Sequence, residues 1–150
     1  MKKILLSLLA ITLVIASIAS FASCNQADTN ETTVGQTNDV IEATGLWANA
    51  TYLENVTLGT GSKTVKLDVE AQGQKITITL NTDKATLGEA MYEHELINDP
   101  AFFDILNGIK ADWNKDNAYW GFYQGEDFMM VGVNDTNISG GEHYRFVYAK

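Results

Sequence analysis

The sequence predicts an α+β domain: a β-grasp-like mixed or antiparallel sheet with one helix packed across it. Three observations carry this. Two adjacent segments alternate apolar and polar residues with a period of two, a capping box opens one amphipathic helix after them, and the remaining chain sets short aromatic runs between Gly-containing turns.

The first element is a hairpin. From Thr64 to Ala71, Val65, Leu67 and Val69 share one face while Lys66, Asp68 and Glu70 share the other; Lys75 to Leu80 repeats the pattern through Ile76, Ile78 and Leu80. Gln72-Gly73-Gln74 joins them. Thr86 and Glu89 then form a capping box, which predicts a helix to about Ile97 with Leu87, Ala90, Met91, His94 and Ile97 on its apolar face and Asn98-Asp99-Pro100 ending it. Next, Phe102 to Leu106 and Ile109 to Ala111 flank Asn107-Gly108, a strong hairpin signal. Ala118 to Tyr123 reads as an aromatic strand, Gln124-Gly125 as a turn, Asp127 to Val133 as another strand, and Glu142 to Ala149 as the last, with Tyr144, Phe146 and Tyr148 on one face.

Ahead of this domain stands an address. Met1-Lys2-Lys3 is a short positive region, an apolar run follows from Ile4 to Phe21, and Ala22-Ser23 precedes Cys24. These features predict a secretory signal peptide over 1–23, and its Ala22-Ser23-Cys24 end resembles the bacterial lipobox, which implies cleavage before a Cys24 that carries the lipid; the alternative is an uncleaved transmembrane anchor, since the apolar run is just long enough to span a bilayer. Two or more acyl chains anchor stably, since each buried methylene contributes about 0.8 kcal/mol. The expected location is the extracellular side of the cytoplasmic membrane. Residues 24–45 are polar and without apolar period, so they read as lipidated Cys and disordered tether; the folded domain is expected over 46–150.

Charge and cysteine content narrow the function classes. The 150 residues carry 10 Lys and Arg against 19 Asp and Glu, a net charge of −9, which cannot build the dense basic face that nucleic acid requires. Loss of Lys2 and Lys3 with the signal peptide leaves 8 cations against 19 acids. Such a globule is repelled by anionic headgroups, so the membrane is expected as a partner through the lipid anchor only. One Cys excludes an intrachain disulfide framework and a thiolate-rich zinc site.

The candidate binding surface is aromatic: Trp113, Tyr119, Trp120, Tyr123, Phe128, Met129 and Met130, with Phe122 on the same strand. Alternation puts Tyr119 and Tyr123 on one face of the strand and Trp120 and Phe122 on the other. One face is core, and the other offers a platform for a flat apolar ligand or a partner. Asp112 to Asn117 resembles the start of a calcium loop, but Asn117 stands where Gly is needed and Tyr123 where a bidentate Glu belongs, so a polar turn is the reading. His94 reads as a histidine at the boundary of the helix's apolar stripe, and neither it nor His143 has a zinc spacing. No G-x-S-x-G elbow frames a Ser, and no catalytic residue is assigned; the chain is not expected to be an enzyme.

KTVKLDV at 63–69, TDKATLGEA at 82–90, LNGI at 106–109, AYWGFY at 118–123 and MVGV at 130–133 together resemble, in that order, a domain common in lipoproteins of Gram-positive bacteria. That domain is similar to the C-terminal β-domain of the vitamin B12 carriers, transcobalamin and intrinsic factor. The resemblance spans Trp47 to Lys150. It departs before the last strand, where Gly140-Gly141-Glu142 replaces the usual Gly-Asp pair. It implies cobalamin, another corrinoid or another tetrapyrrole as ligand, and at most half of a site, because the helical barrel that completes the cleft in those carriers is not encoded in these residues. Two readings follow. One is capture of a small extracellular ligand by the aromatic surface of a transcobalamin-like lipoprotein; the other is a protein-interaction or adhesion module of the cell envelope, with a wall protein or transporter as partner.

Overall fold

The computed structural model describes residues 40–150; the expected signal peptide, Cys24 and most of the expected tether lie outside them. Strand β1 (Val56–Leu58) precedes the hairpin of β2 (Lys63–Ala71) and β3 (Gln74–Thr82), whose alternation buries Val65, Leu67, Val69, Ile76, Ile78 and Leu80. Gln72 at φ 52° and Gly73 at φ 75° close it through a turn whose left-handed residues match the twist of the strands. Helix α1 (Leu87–Glu93) follows, with the capping box in place: the Thr86 hydroxyl accepts from the Glu89 N–H, and the Glu89 carboxylate accepts from the Thr86 N–H.

The helix stops at Glu93, short of the expected Ile97. Glu95 turns left-handed at φ 55°, its N–H donates to the Tyr92 carbonyl, and the Leu96 N–H donates to the Met91 carbonyl at 3.0 Å. These two bonds form a Schellman closure. Leu96 and Ile97 stay buried, but as part of the chain leaving the helix.

A small hairpin of β4 (Ile105–Leu106) and β5 (Ile109–Lys110) turns at Asn107-Gly108 as expected, although Phe102 to Asp104 is irregular and not strand. Then come α2 (Trp113–Asp116), β6 (Tyr119–Gln124), β7 (Asp127–Phe128) and β8 (His143–Ala149). The strand expected to Val133 ends at Phe128, and Val133–Asp135 form a 3-10 turn instead. Before β8 the Glu142 carboxylate accepts from the backbone N–H groups of Ser139 and Gly140 and so ties the turn.

Six strands make one mixed sheet in the order β1-β3-β2-β8-β6-β7. β2 and β8 lie parallel at its centre, β1 runs parallel to β3, and the other pairs are antiparallel. This is the α+β, β-grasp-like arrangement that the sequence predicts. One sheet face carries the core, built with Leu87, Ala90 and Met91 of α1 and with Leu106 and Ile109 of the small hairpin. Each large aliphatic buried there contributes roughly 1.5–3 kcal/mol. The opposite face carries Lys66, Asp68, Glu70, Thr77, Thr79, His143 and Arg145.

Among the described residues, packing against the core reaches ahead of the expected boundary at 45. Ile41 is buried against the core and its N–H donates to the Leu53 carbonyl; Trp47, in a 3-10 turn (Gly45–Asn49), is fully buried with its indole N–H on the Ala71 carbonyl at 3.0 Å. The segment ahead of Trp47 is thus joined to the folded unit through the Ile41 side chain and its backbone bond to Leu53. Among the described residues no helix is long and apolar enough to cross a membrane.

Candidate functional site

Strand alternation divides the expected aromatic surface. Phe122 and Trp120 turn to the core side, where Phe122 stacks on Phe146 at 4.9 Å and Trp120 meets Tyr148 edge-on at 5.5 Å. Tyr123 turns to the open face, where it packs edge-on against Phe128 at 5.3 Å and beneath the Arg145 guanidinium at 4.7 Å. Met129 packs on the core with its N–H on the Phe122 carbonyl, whereas Met130 is 89% exposed. The seven candidates therefore do not make one patch.

Three of them do converge. Trp113, Tyr119 and Trp120 line a groove of ≈ 390 Å³ together with Phe102, Phe103 and Ala118, and with Asp104, Lys110 and Asp112 at its polar side. Trp113 reaches Tyr119 edge-on at 6.2 Å. Phe102 and Phe103 are aromatic members that the sequence candidates lacked, and Phe102 is the exposed one. It is exposed because Asp99 Oδ1 accepts from the N–H groups of Ala101 and Phe102, an Asx turn after the helix exit that holds the ring outward. Asn98-Asp99-Pro100, expected to end α1, lies beyond the helix end and instead presents the next aromatic.

Asp112 sets the position of Trp113. Its Oδ1 accepts from the Asn114 and Lys115 N–H groups at 3.1 Å each, capping α2, and these bonds, led by that from Lys115, hold its carboxyl below the usual range. Asn117 closes the turn in the left-handed region at φ 53°. The Asp112–Asn117 segment is thus a capped helical turn whose acid bonds its own backbone. Lys110 Nζ lies 3.5 Å from Asp104 and 3.6 Å from Asp112. Among the described residues no cluster of three or more His, Cys, Asp or Glu side chains is placed to hold a metal ion.

A second polar group occupies the open face. Asp68, its side chain only 9% exposed, receives the Thr77 hydroxyl at 2.7 Å, Lys75 Nζ at 3.2 Å and His143 Nε2 at 3.1 Å. Burial raises the Asp68 carboxyl, but the hydrogen bonds from Thr77, His143 and Lys75 outweigh it and the net shift is downward. His94 caps the end of α1 with its Nε2 buried and without a hydrogen-bond partner, close over Gly59. Neither imidazole borders the aromatic groove.

No family model matches the chain, and no curated protein matches it. Among solved structures, a protein from Ruminococcus gnavus ATCC 29149, assigned only provisionally as metal-binding, aligns with a TM-score of 0.55 at 17% identity over 59% of this chain and 98% of its own. Haptocorrin in complex with Cbi aligns with a TM-score of 0.47 at 15% identity, over 62% of this chain and 26% of haptocorrin. The likeness to the R. gnavus protein is one of fold.

Proposed function

We propose that this domain is a ligand-binding module without catalytic activity, displayed outside the cytoplasmic membrane by a lipid on Cys24, and that the groove between Phe102 and α2 is its site. The observation that carries the reading is the exposure of Phe102, Trp113 and Tyr119 around one depression: an isolated exposed ring is ordinary, but contiguous ones mark binding surfaces. At ≈ 390 Å³ the groove sits at the small end of the roughly 300–1,000 Å³ typical of ligand pockets, so it suits one edge or face of a flat molecule. A corrinoid or another tetrapyrrole, the ligand class implied by the resemblance of the sequence to the B12-carrier β-domain, would lie across it and leave its far side for a second body to cover.

Tryptophan fluorescence of the Asn25–Lys150 chain, titrated with cobalamin, cobinamide and haem and corrected for their absorbance, tests this. Saturable quenching that disappears in Trp113→Ala supports the groove. Absence of saturation with all three favours a second reading, an envelope protein-interaction module. The observation behind that reading is the β7 edge, where Phe128, Met130 and Val131 are exposed beside unpaired strand backbone.

A further inference from the structure

We propose that the aromatic groove selects organic cations, its ligand class being a flat, positively charged ring system held against Trp113 and Tyr119. The inference rests on the groove being a ligand site and adds the sign of the ligand's charge.

Exposed aromatic faces attract cations through the ring quadrupole, most strongly at Trp, and Trp113 and Tyr119 are 62% and 44% exposed. The ionised side chains that line the groove are Asp104, Asp112 and Lys110. Lys110 lies between both carboxylates, at 3.5 and 3.6 Å, so the three lining charges sum to one negative charge. An anionic ligand would have to displace a carboxylate to reach the one cation of the lining. Asp116, in the same short helix as Trp113, adds a further carboxylate beside the groove. Net charge over the whole chain is −9, which draws cations from a distance.

The test is a pair of size-matched porphyrins, a tetracationic N-methylpyridyl form and a tetraanionic sulfonatophenyl form, titrated into the Asn25–Lys150 chain, which contains all the described residues and their core. The cationic form is expected to bind at least about tenfold more tightly than the anionic one. Trp113→Leu keeps net charge and apolar bulk but removes the π face, and should weaken the cationic probe about fivefold or more. Lys110→Met removes the ammonium and should strengthen it. Three results overturn the proposal. Equal binding of the two porphyrins, both weakened by Trp113→Leu, leaves the groove as a site but removes its charge preference. Cationic binding unaffected by Trp113→Leu assigns the interaction to the acidic surface at large. Binding of neither probe overturns both the charge preference and the groove as a ring-binding site.

Discussion

The side-chain amide of Asn107 and the backbone of Tyr52 exchange two hydrogen bonds, Tyr52 N–H to Asn107 Oδ1 and Asn107 Nδ2–H to the Tyr52 carbonyl, both 2.9 Å. Asn107 is fully buried, and its own backbone bonds Leu96 and Thr51. One residue thus joins the N-terminal segment, the exit of α1 and the β4–β5 hairpin. Asn107→Gly preserves the left-handed turn at φ 52° but leaves the Tyr52 backbone pair unpartnered, so it should cost about 2–4 kcal/mol in urea unfolding. A loss below 1 kcal/mol would mean that water replaces the amide without penalty.

The Asp68 cluster predicts a pH dependence of defined sign. Because the folded carboxyl titrates below its ordinary value of about 3.9, its contribution is complete above that pH and is lost as pH falls through the lower folded value. Asp68→Asn should therefore cost roughly 1.5–3 kcal/mol at pH 7, and the gap from the unmodified protein should narrow below pH 4. Denaturant titrations at pH 7, 5 and 3 measure it; a gap that does not change with pH would show that the charge of Asp68 contributes nothing.

Gly59 and Gly73 have nearly the same backbone angle, φ 76° and 75°, in different surroundings. A Cβ on Gly73 meets open space, whereas one on Gly59 runs into the Asn81 carbonyl and the His94 ring. Gly73→Ala should cost about 1 kcal/mol, the conformational term alone, and Gly59→Ala about 1–3 kcal/mol more. Equal costs would show that the loop at Gly59 moves aside freely.

Thermal unfolding should separate the two tryptophans of the groove. Trp120→Ala removes a ring packed on the core and on Tyr148 and should destabilise by about 2–4 kcal/mol, while Trp113→Ala should change stability by less than about 1 kcal/mol. A large loss at Trp113 would reassign that ring from ligand surface to structural support.

The parts of the fold legible in the sequence are those written locally. The β2–β3 alternation, the Thr86–Glu89 capping box and the Asn107-Gly108 turn each depend on residues within a few positions of one another, and each appears where its pattern places it. The end of α1 was illegible because its Schellman closure uses Glu95, not Gly, in the left-handed position, and what makes this tolerable is the burial of Leu96 beyond it. β1, three residues long, carries no pattern of its own and exists through its pairing with β3. The groove was half legible: Trp113, Tyr119 and Trp120 stand out as an aromatic group, but nothing local brings Phe102 to them or sends Tyr123 and Phe128 elsewhere.

The sequence by itself determined the α+β class, the hairpin, the helix start and the aromatic character of β6, because hydrophobic period, caps and turn residues act over a few bonds. Tertiary structure alone decided that β2 and β8 run parallel at the centre of the sheet, that Ile41 and Trp47 close the core, and that three of seven candidate residues share a groove. Those outcomes depend on strand register across long separations, and on which sheet face the helix covers. Side-chain alternation within β6 is local, but which of its two sides becomes core is a choice that no single segment encodes.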